Sequence, residues 1–204
     1  IEREALTAIT EFSAYLSEII KARRNTPQND LISNLIAARD EGDKLTEDEL
    51  IATCILLLNA GHEATVHTIG NGIHYLLSKG LRPNNPEEIT EEILAADPPL
   101  HIFQRIAMQD VEIAGHMFKK DDRIALILGA AGTIPNPYQN NTKPSHLAFG
   151  LGRHFCVGAP LARLEVQTAL PILFKRHPNM QLSEPPRYAD RYHFRALEAL
   201  KIAL

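Results

Sequence analysis

A mainly α fold with a small β component, the α+β class, is what this 204-residue chain predicts. Three observations carry the expectation. Apolar residues recur at helical spacing through most of residues 1–80. Alternation with turn signals is confined to a stretch near residues 110–130. Gly and Pro punctuate the chain between such segments. The length fits one domain, residues 1–204, with enough chain to bury a substantial core.

Each element follows from its own residues. Leu6, Ile9, Phe12, Leu16 and Ile20 keep a helical period, and Pro27 with Asn29 ends it. "DLISNLIAARDEG" reads as a short second helix ended by Gly42. Thr46, with Glu49 three residues on, forms a capping box, and Leu45 and Leu50 stand where a hydrophobic staple would. The helix they start runs to about Gly80, roughly 50 Å at about 1.5 Å per residue. "LRPNNPEEI" reads as linker and "TEEILAA" as a short helix stopped by "DPP". "DVEIAGHMFKKDDRIALILGA" reads as a small antiparallel sheet, and "GTIPNPYQNNTKPS" as loop. Pro160 suits the first turn of a last helix, in which Pro171 should make a kink.

Composition narrows the function. A net charge of -4 argues against a nucleic-acid partner or an anionic membrane surface. The run "IATCILLLNA" is apolar nearly all round, but Asn59, His62 and Glu63 interrupt it too early for a membrane span. The acidic, amphipathic start lacks a basic flank and apolar h-region, so no secretory signal is read there. Cys54 lies in an apolar run and Cys156 in a glycine-rich loop. That pairing argues against a disulfide framework and for a reducing, cytoplasmic setting. The first residue is Ile, so the expectation is a start within a longer gene product.

Chemistry concentrates in "HLAFGLGRHFCVGAPLARLE". The thiolate is the metal-binding form of cysteine, and backbone N–H groups and a helix N-terminus stabilise it. Cys156 precedes the Pro160 helix and has both within reach. Gly150 and Gly152 permit tight turns, and Gly158 leaves room for a flat cofactor to approach the backbone. A structural zinc would need about four N or S ligands, and no clustered Cys/His set supplies them. A lone protein sulfur suits a metal whose other positions are already filled, as iron is in haem. The alternative for Cys156 taken alone is an inert buried thiol.

"FGLGRHFCVG", Phe149 to Gly158, resembles the haem-binding loop of cytochrome P450, F-G-x-G-x-H-x-C-x-G. The resemblance implies Cys156 as axial thiolate of haem b (iron protoporphyrin IX), His154 as donor to a haem propionate and Phe149 as an aromatic packed near the sulfur. "AGHEAT" resembles the family's oxygen-binding groove, in which Ala60 and Gly61 thin the helix and Glu63 shares the face as proton source. Tight helix packing is the other reading of those small residues. "PPLHIFQRIAMQDVEIAG" resembles the segment after the family's K helix, so Arg105 corresponds to a propionate-binding arginine; otherwise it is a solvated surface residue. By position, substrate would face His101, Ile102 and Phe103, and Tyr192, His193 and Phe194; an aromatic cluster of this kind is also ordinary core.

The resemblance implies the C-terminal half of the cytochrome P450 fold, apparently without the N-terminal half. It also implies a monooxygenase that inserts one atom of O2 into a small organic substrate, with electrons from a ferredoxin-like or flavin donor. Several positions depart from the pattern. Glu92 begins the family's E-x-x-R, but Ala95 replaces the arginine, so a structural ion-pair network should be broken. The loops before Pro86 and before His146 are short. Ala64 stands where a threonine is usual, with Thr65 one place later and about 100° around the helix. A bound water or a substrate hydroxyl would then have to complete the proton relay. The alternatives are a catalytically incompetent fragment acting as a haem-binding or interaction module, and an apolar-ligand-binding module without haem.

Overall fold

Thr46 and Glu49 close the expected capping box. Thr46 N–H and Oγ1–H both donate to Glu49 Oε2, at 2.9 and 2.8 Å, and Glu49 N–H donates to Thr46 Oγ1 at 3.2 Å. The long helix they start, α3, spans Glu47–Ser78. A computed structural model describes residues 2–37, 39–40, 43–131 and 146–204 of the chain. The chain divides into two compact units, residues 1–60 and 61–204.

In the first unit, α1 (Glu2–Asn25) packs on α2 (Leu31–Ala37), and Leu16, Ile20 and Leu50 are buried. Ser17 Oγ–H donates to Glu47 Oε1 at 2.7 Å. Asp30 accepts from Arg23 Nε–H and from Ser33 N–H, which fixes the turn into α2. The Arg23 guanidinium holds the Asp30 carboxyl down at about 2. The second helix is shorter than expected. It ends at Ala37, and a two-residue antiparallel pair follows, β1 (Arg39–Asp40) with β2 (Asp43–Lys44).

In the second unit, α3 from Gly61 onward packs with α4 (Pro86–Ala96) and α6 (Ala159–Arg176) around Ile73, Leu76, Ile93, Val166, Leu170 and Phe174. Gly72 of α3 faces that packing, and Gly70 faces the C-terminal strand segment. A Cβ at Gly72 would lie 3.0 Å from Ile93 Cδ1, and one at Gly70 would lie 3.3 Å from Leu197 Cδ1. The helix-propensity cost of these glycines is therefore offset by close packing. Helix α4 begins four residues earlier than the apolar pattern suggests, because Asn85 caps it and Pro86 takes the first turn. Helix α6 continues through Pro171 to Arg176.

The β component is a set of two-stranded antiparallel pairs. The hairpin expected after residue 110 forms as β4 (Val111–Ile113) with β5 (His116–Phe118). The next strand, β6 (Arg123–Ile127), pairs instead with β3 (Ile102–Ile106), in register Phe103 to Leu126 and Arg105 to Ile124. Leu128–Ala131 form a short helix, α5. Near the C-terminus, β7 (Gln181–Leu182) pairs with β10 (Ile202–Ala203), and β8 (Arg187–Tyr188) with β9 (Leu197–Ala199). The loop expected at 132–145 lies outside the described residues.

Candidate functional site

The cysteine loop folds as its glycines suggest. Gly150 and Gly152 take φ of 72° and 73°, the left-handed region that a Cβ disfavours, and Gly152–His154 form one 3-10 turn. Cys156 N–H then donates to Phe149 O at 2.9 Å, and Ala159 N–H to Cys156 O at 3.3 Å, so the sulfur-bearing residue is pinned at both ends. Helix α6 starts immediately afterwards, with Gly158 as its N-cap and Pro160 in its first turn. A Cβ at Gly158 would lie 3.9 Å from Cys156 Sγ, so any side chain there would stand against the sulfur.

Beneath the loop lies an ion-pair cluster that the sequence reading missed. Arg163 grips Glu91 through both edges, Nε to Oε1 at 2.6 Å and Nη2 to Oε2 at 3.0 Å, while its guanidinium covers the Phe149 ring at 4.5 Å. His146 Nδ1 accepts from Ala148 N–H at 3.2 Å, which leaves Nε2–H to donate to Glu91 Oε2 at 3.0 Å. The Arg163 hydrogen bonds hold the Glu91 carboxyl below its ordinary value. Those same bonds raise Arg163, opposed by partial burial and reinforced by the charges of Glu91 and Cys156. A permanent cation thus stands close enough to the Cys156 sulfur for their charges to interact. Cys54 has the opposite setting. It lines an apolar cavity of about 400 Å³ with Phe12, Leu16 and Leu57, and burial pushes its thiol up.

Arg163 left one legible signal, its place one turn into the helix that follows the cysteine. Ala95, where the family arginine was expected, is buried, and among the described residues its neighbour Glu92 accepts a single long hydrogen bond, 3.5 Å from Tyr75 Oη–H. The carboxylate that ties α4 to α6 is therefore Glu91.

The residues expected to form an oxygen groove sit on α3. At Gly61 a Cβ would meet nothing within 4 Å among the described residues, so none of them packs closely on this glycine. Glu63 Oε1 accepts from Arg191 Nη1–H at 2.7 Å, and His67 Nε2, one turn along, lies 3.7 Å from the same oxygen. Thr68, rather than Thr65, turns its hydroxyl to the helix, donating to Ala64 O at 2.8 Å. Thr65 Oγ1 has no hydrogen-bond partner among the described residues.

The two segments expected to face substrate run side by side. Leu100 and Phe194 form an antiparallel bridge, His101 N–H donates to His193 O at 3.0 Å, and Gln104 Nε2–H donates to Tyr192 Oη at 3.3 Å. The Phe194 ring lies 5.6 Å from that of His67. Burial, with the Arg195 charge adding to it, lowers His101. Ile102 and Phe103 begin β3, and Arg105 on that strand is exposed, with its guanidinium 5.9 Å from the Phe103 ring. His154 is exposed on its 3-10 turn.

These residues suit a haem. Among the described residues no three His, Cys, Asp or Glu side chains gather closely enough to hold a metal ion, so the pinned sulfur suits a metal that brings its other donors with it. Leu151, Phe155 and Val157 expose an apolar surface on the same loop, as a flat apolar macrocycle would require.

The cytochrome P450 family model matches residues 1–96 and 87–187. The chain belongs to the cytochrome P450 family. It is 39% identical to the biotin biosynthesis cytochrome P450 of Bacillus subtilis, over 98% of this chain and 55% of that protein. It is 37% identical to the polyketide biosynthesis cytochrome P450 PksS of the same organism, over 97% and 53%. Among solved structures it is similar to P450BioI in complex with acyl carrier protein ligated to hexadec-9Z-enoic acid, with TM-score 0.84, 38% identity, and coverage of 95% of this chain and 53% of that one. CYP109E1 from Bacillus megaterium in complex with testosterone matches with TM-score 0.88, 32% identity, and coverage of 98% and 60%. The chain spans about half the length of the curated relatives it matches. The mainly α P450 fold read from the sequence is borne out, and among the described residues no helix is long and apolar enough to cross a membrane.

Proposed function

We propose that the chain is the haem-carrying part of a monooxygenase that inserts one oxygen atom from O2 into a small organic substrate. The observation that carries this reading is the cysteine loop: a thiol pinned by backbone hydrogen bonds, coupled to Arg163 and free of competing protein ligands. When bound, haem b would supply oxygen activation and one-electron chemistry, with Cys156 as its sulfur ligand. His154 and Arg105 are exposed donors for its propionates, Gly158 and Gly61 leave space for its plane, and the Phe149 ring, stacked on Arg163, backs the loop.

Glu63 would relay protons through its carboxyl group, while Ala64 contributes no hydroxyl and Thr65 lies off that face. Substrate would lie against Ile102, Phe103 and Phe194, bordered by His101, Tyr192 and His193. Electrons would come from a ferredoxin-like or flavin donor in a cytoplasmic setting. A second reading, a catalytically incompetent fragment that binds haem or a partner, is favoured by Ala95 and is separated from the first by turnover of the haem-loaded chain.

The test is reduction of the haem-loaded protein under carbon monoxide. A strongly red-shifted Soret band is expected; Cys156→Ser should abolish it and Cys54→Ser should leave it unchanged. A folded, haem-loaded sample without that band would overturn the reading.

A further inference from the structure

Glu63 does not stand free on its helix. Arg191, which is 128 residues away in sequence and lies in the turn before Tyr192, donates to Oε1 from Nη1 at 2.7 Å. The pair is open to exchange, since the side chains are 56% and 39% exposed, and exposed ion pairs hold weakly. Among the described residues Arg191 uses one of the five N–H donors of its guanidinium on a side-chain acceptor, so the flat fork that takes a carboxylate with two bonds is available. One turn along α3, His67 Nε2 is buried with no hydrogen-bond partner among the described residues, 3.7 Å from the oxygen that Arg191 holds. A buried imidazole nitrogen of this kind is costly to leave unpaired. Its ring packs on that of Phe194, which bridges the two aligned segments through Leu100.

We propose that Arg191 recognises the carboxylate of an apolar organic acid and that this exchange frees Glu63 to pair with His67. The inference rests on the monooxygenase reading and names its substrate class. The carboxylate of the substrate takes the Arg191 fork, its apolar body lies along Phe194 and Phe103, and Glu63 turns to accept from His67 Nε2–H. Arg191 and His67 are thereby positioning residues. They decide which partner holds the carboxylate, and the exchange couples binding of the acid to the freedom of Glu63.

The test compares binding of decanoate and methyl decanoate to the whole chain by isothermal titration calorimetry. Wild type is expected to prefer the acid by about 10-fold or more, the scale of one or two hydrogen bonds to a charged group. Arg191→Gln should remove the preference and Arg191→Lys should keep part of it. Glu63→Gln should tighten decanoate binding several-fold, because the competing carboxylate is gone; a merely structural role for Glu63 would weaken it. No binding of decanoate, equal affinity for acid and ester, a preference that survives Arg191→Gln, or weaker decanoate binding in Glu63→Gln would each overturn the proposal. The carbon monoxide band is read on the same samples after haem loading. A band without acid preference discards this substrate class alone, and acid preference without a band discards the monooxygenase reading.

Discussion

Arg163 closes on Glu91 with both edges of its guanidinium, at 2.6 and 3.0 Å, and so joins the helix that follows Cys156 to the helix that carries Ala95. The side chains are 31% and 35% exposed, so solvent screening reduces what the pair contributes.

Arg163→Met should lower stability at pH 7 by about 1–2 kcal/mol, because it leaves a half-buried carboxylate without its main donor. The Glu91 carboxyl is depressed in the folded state, so its contribution is present above the ordinary value of 4.5 and is lost as pH falls through the lower folded value. Urea midpoints of wild type and variant should therefore converge on acidification. An equal difference at pH 3 and pH 7 would show that lost packing, not charge, is the cause.

Two glycines on one helix should respond in opposite directions. Gly72→Ala places a Cβ 3.0 Å from Ile93 Cδ1 and should destabilise by about 1–3 kcal/mol. Gly61→Ala meets open space and should stabilise by up to about 1 kcal/mol through helix propensity. Thermal melts of the two variants decide this; a stabilised Gly72→Ala would mean that the core around Ile93 and Leu170 relaxes freely.

Tyr188 donates to Asp97 at 3.3 Å, and burial, followed by the Asp97 charge, raises its phenol above the ordinary 10.0. A raised folded value means that the contribution is intact below the unfolded value and disappears as pH rises toward the folded one. Wild type should lose stability above about pH 10 more steeply than Tyr188→Phe. Denaturation midpoints across that range are the measurement, and parallel curves would contradict the assignment.

On the proposed monooxygenase reading, Ala64 offers no alcohol beside Glu63, so in a form that turns over, O2 should be reduced mainly to hydrogen peroxide when the substrate fits poorly. Ala64→Thr should raise the ratio of product to peroxide for those substrates, and Glu63→Gln should slow turnover with all of them. Peroxide yields unchanged between wild type and Ala64→Thr across good and poor substrates would remove position 64 from the relay.

The sequence by itself determined what local chemistry determines. The Thr46–Glu49 box, the left-handed Gly150 and Gly152, the Pro160 helix start and the family loop around Cys156 depend on residues a few positions apart. Locality also explains the errors. The first turn of α4 reads as linker because its cap, Asn85, sits in a run of prolines and asparagines, and β3 becomes a strand only through its pairing with β6. Only the tertiary structure decided the partners of charge. Glu63 meets Arg191 across 128 residues, Glu91 meets Arg163 across 72, and Asn71 Nδ2–H reaches Arg195 O across 124. No periodicity encodes such pairs. They arise where packing of α3, α4, α6 and the C-terminal segment leaves polar groups facing one another, and burial then sets how strongly each must be satisfied.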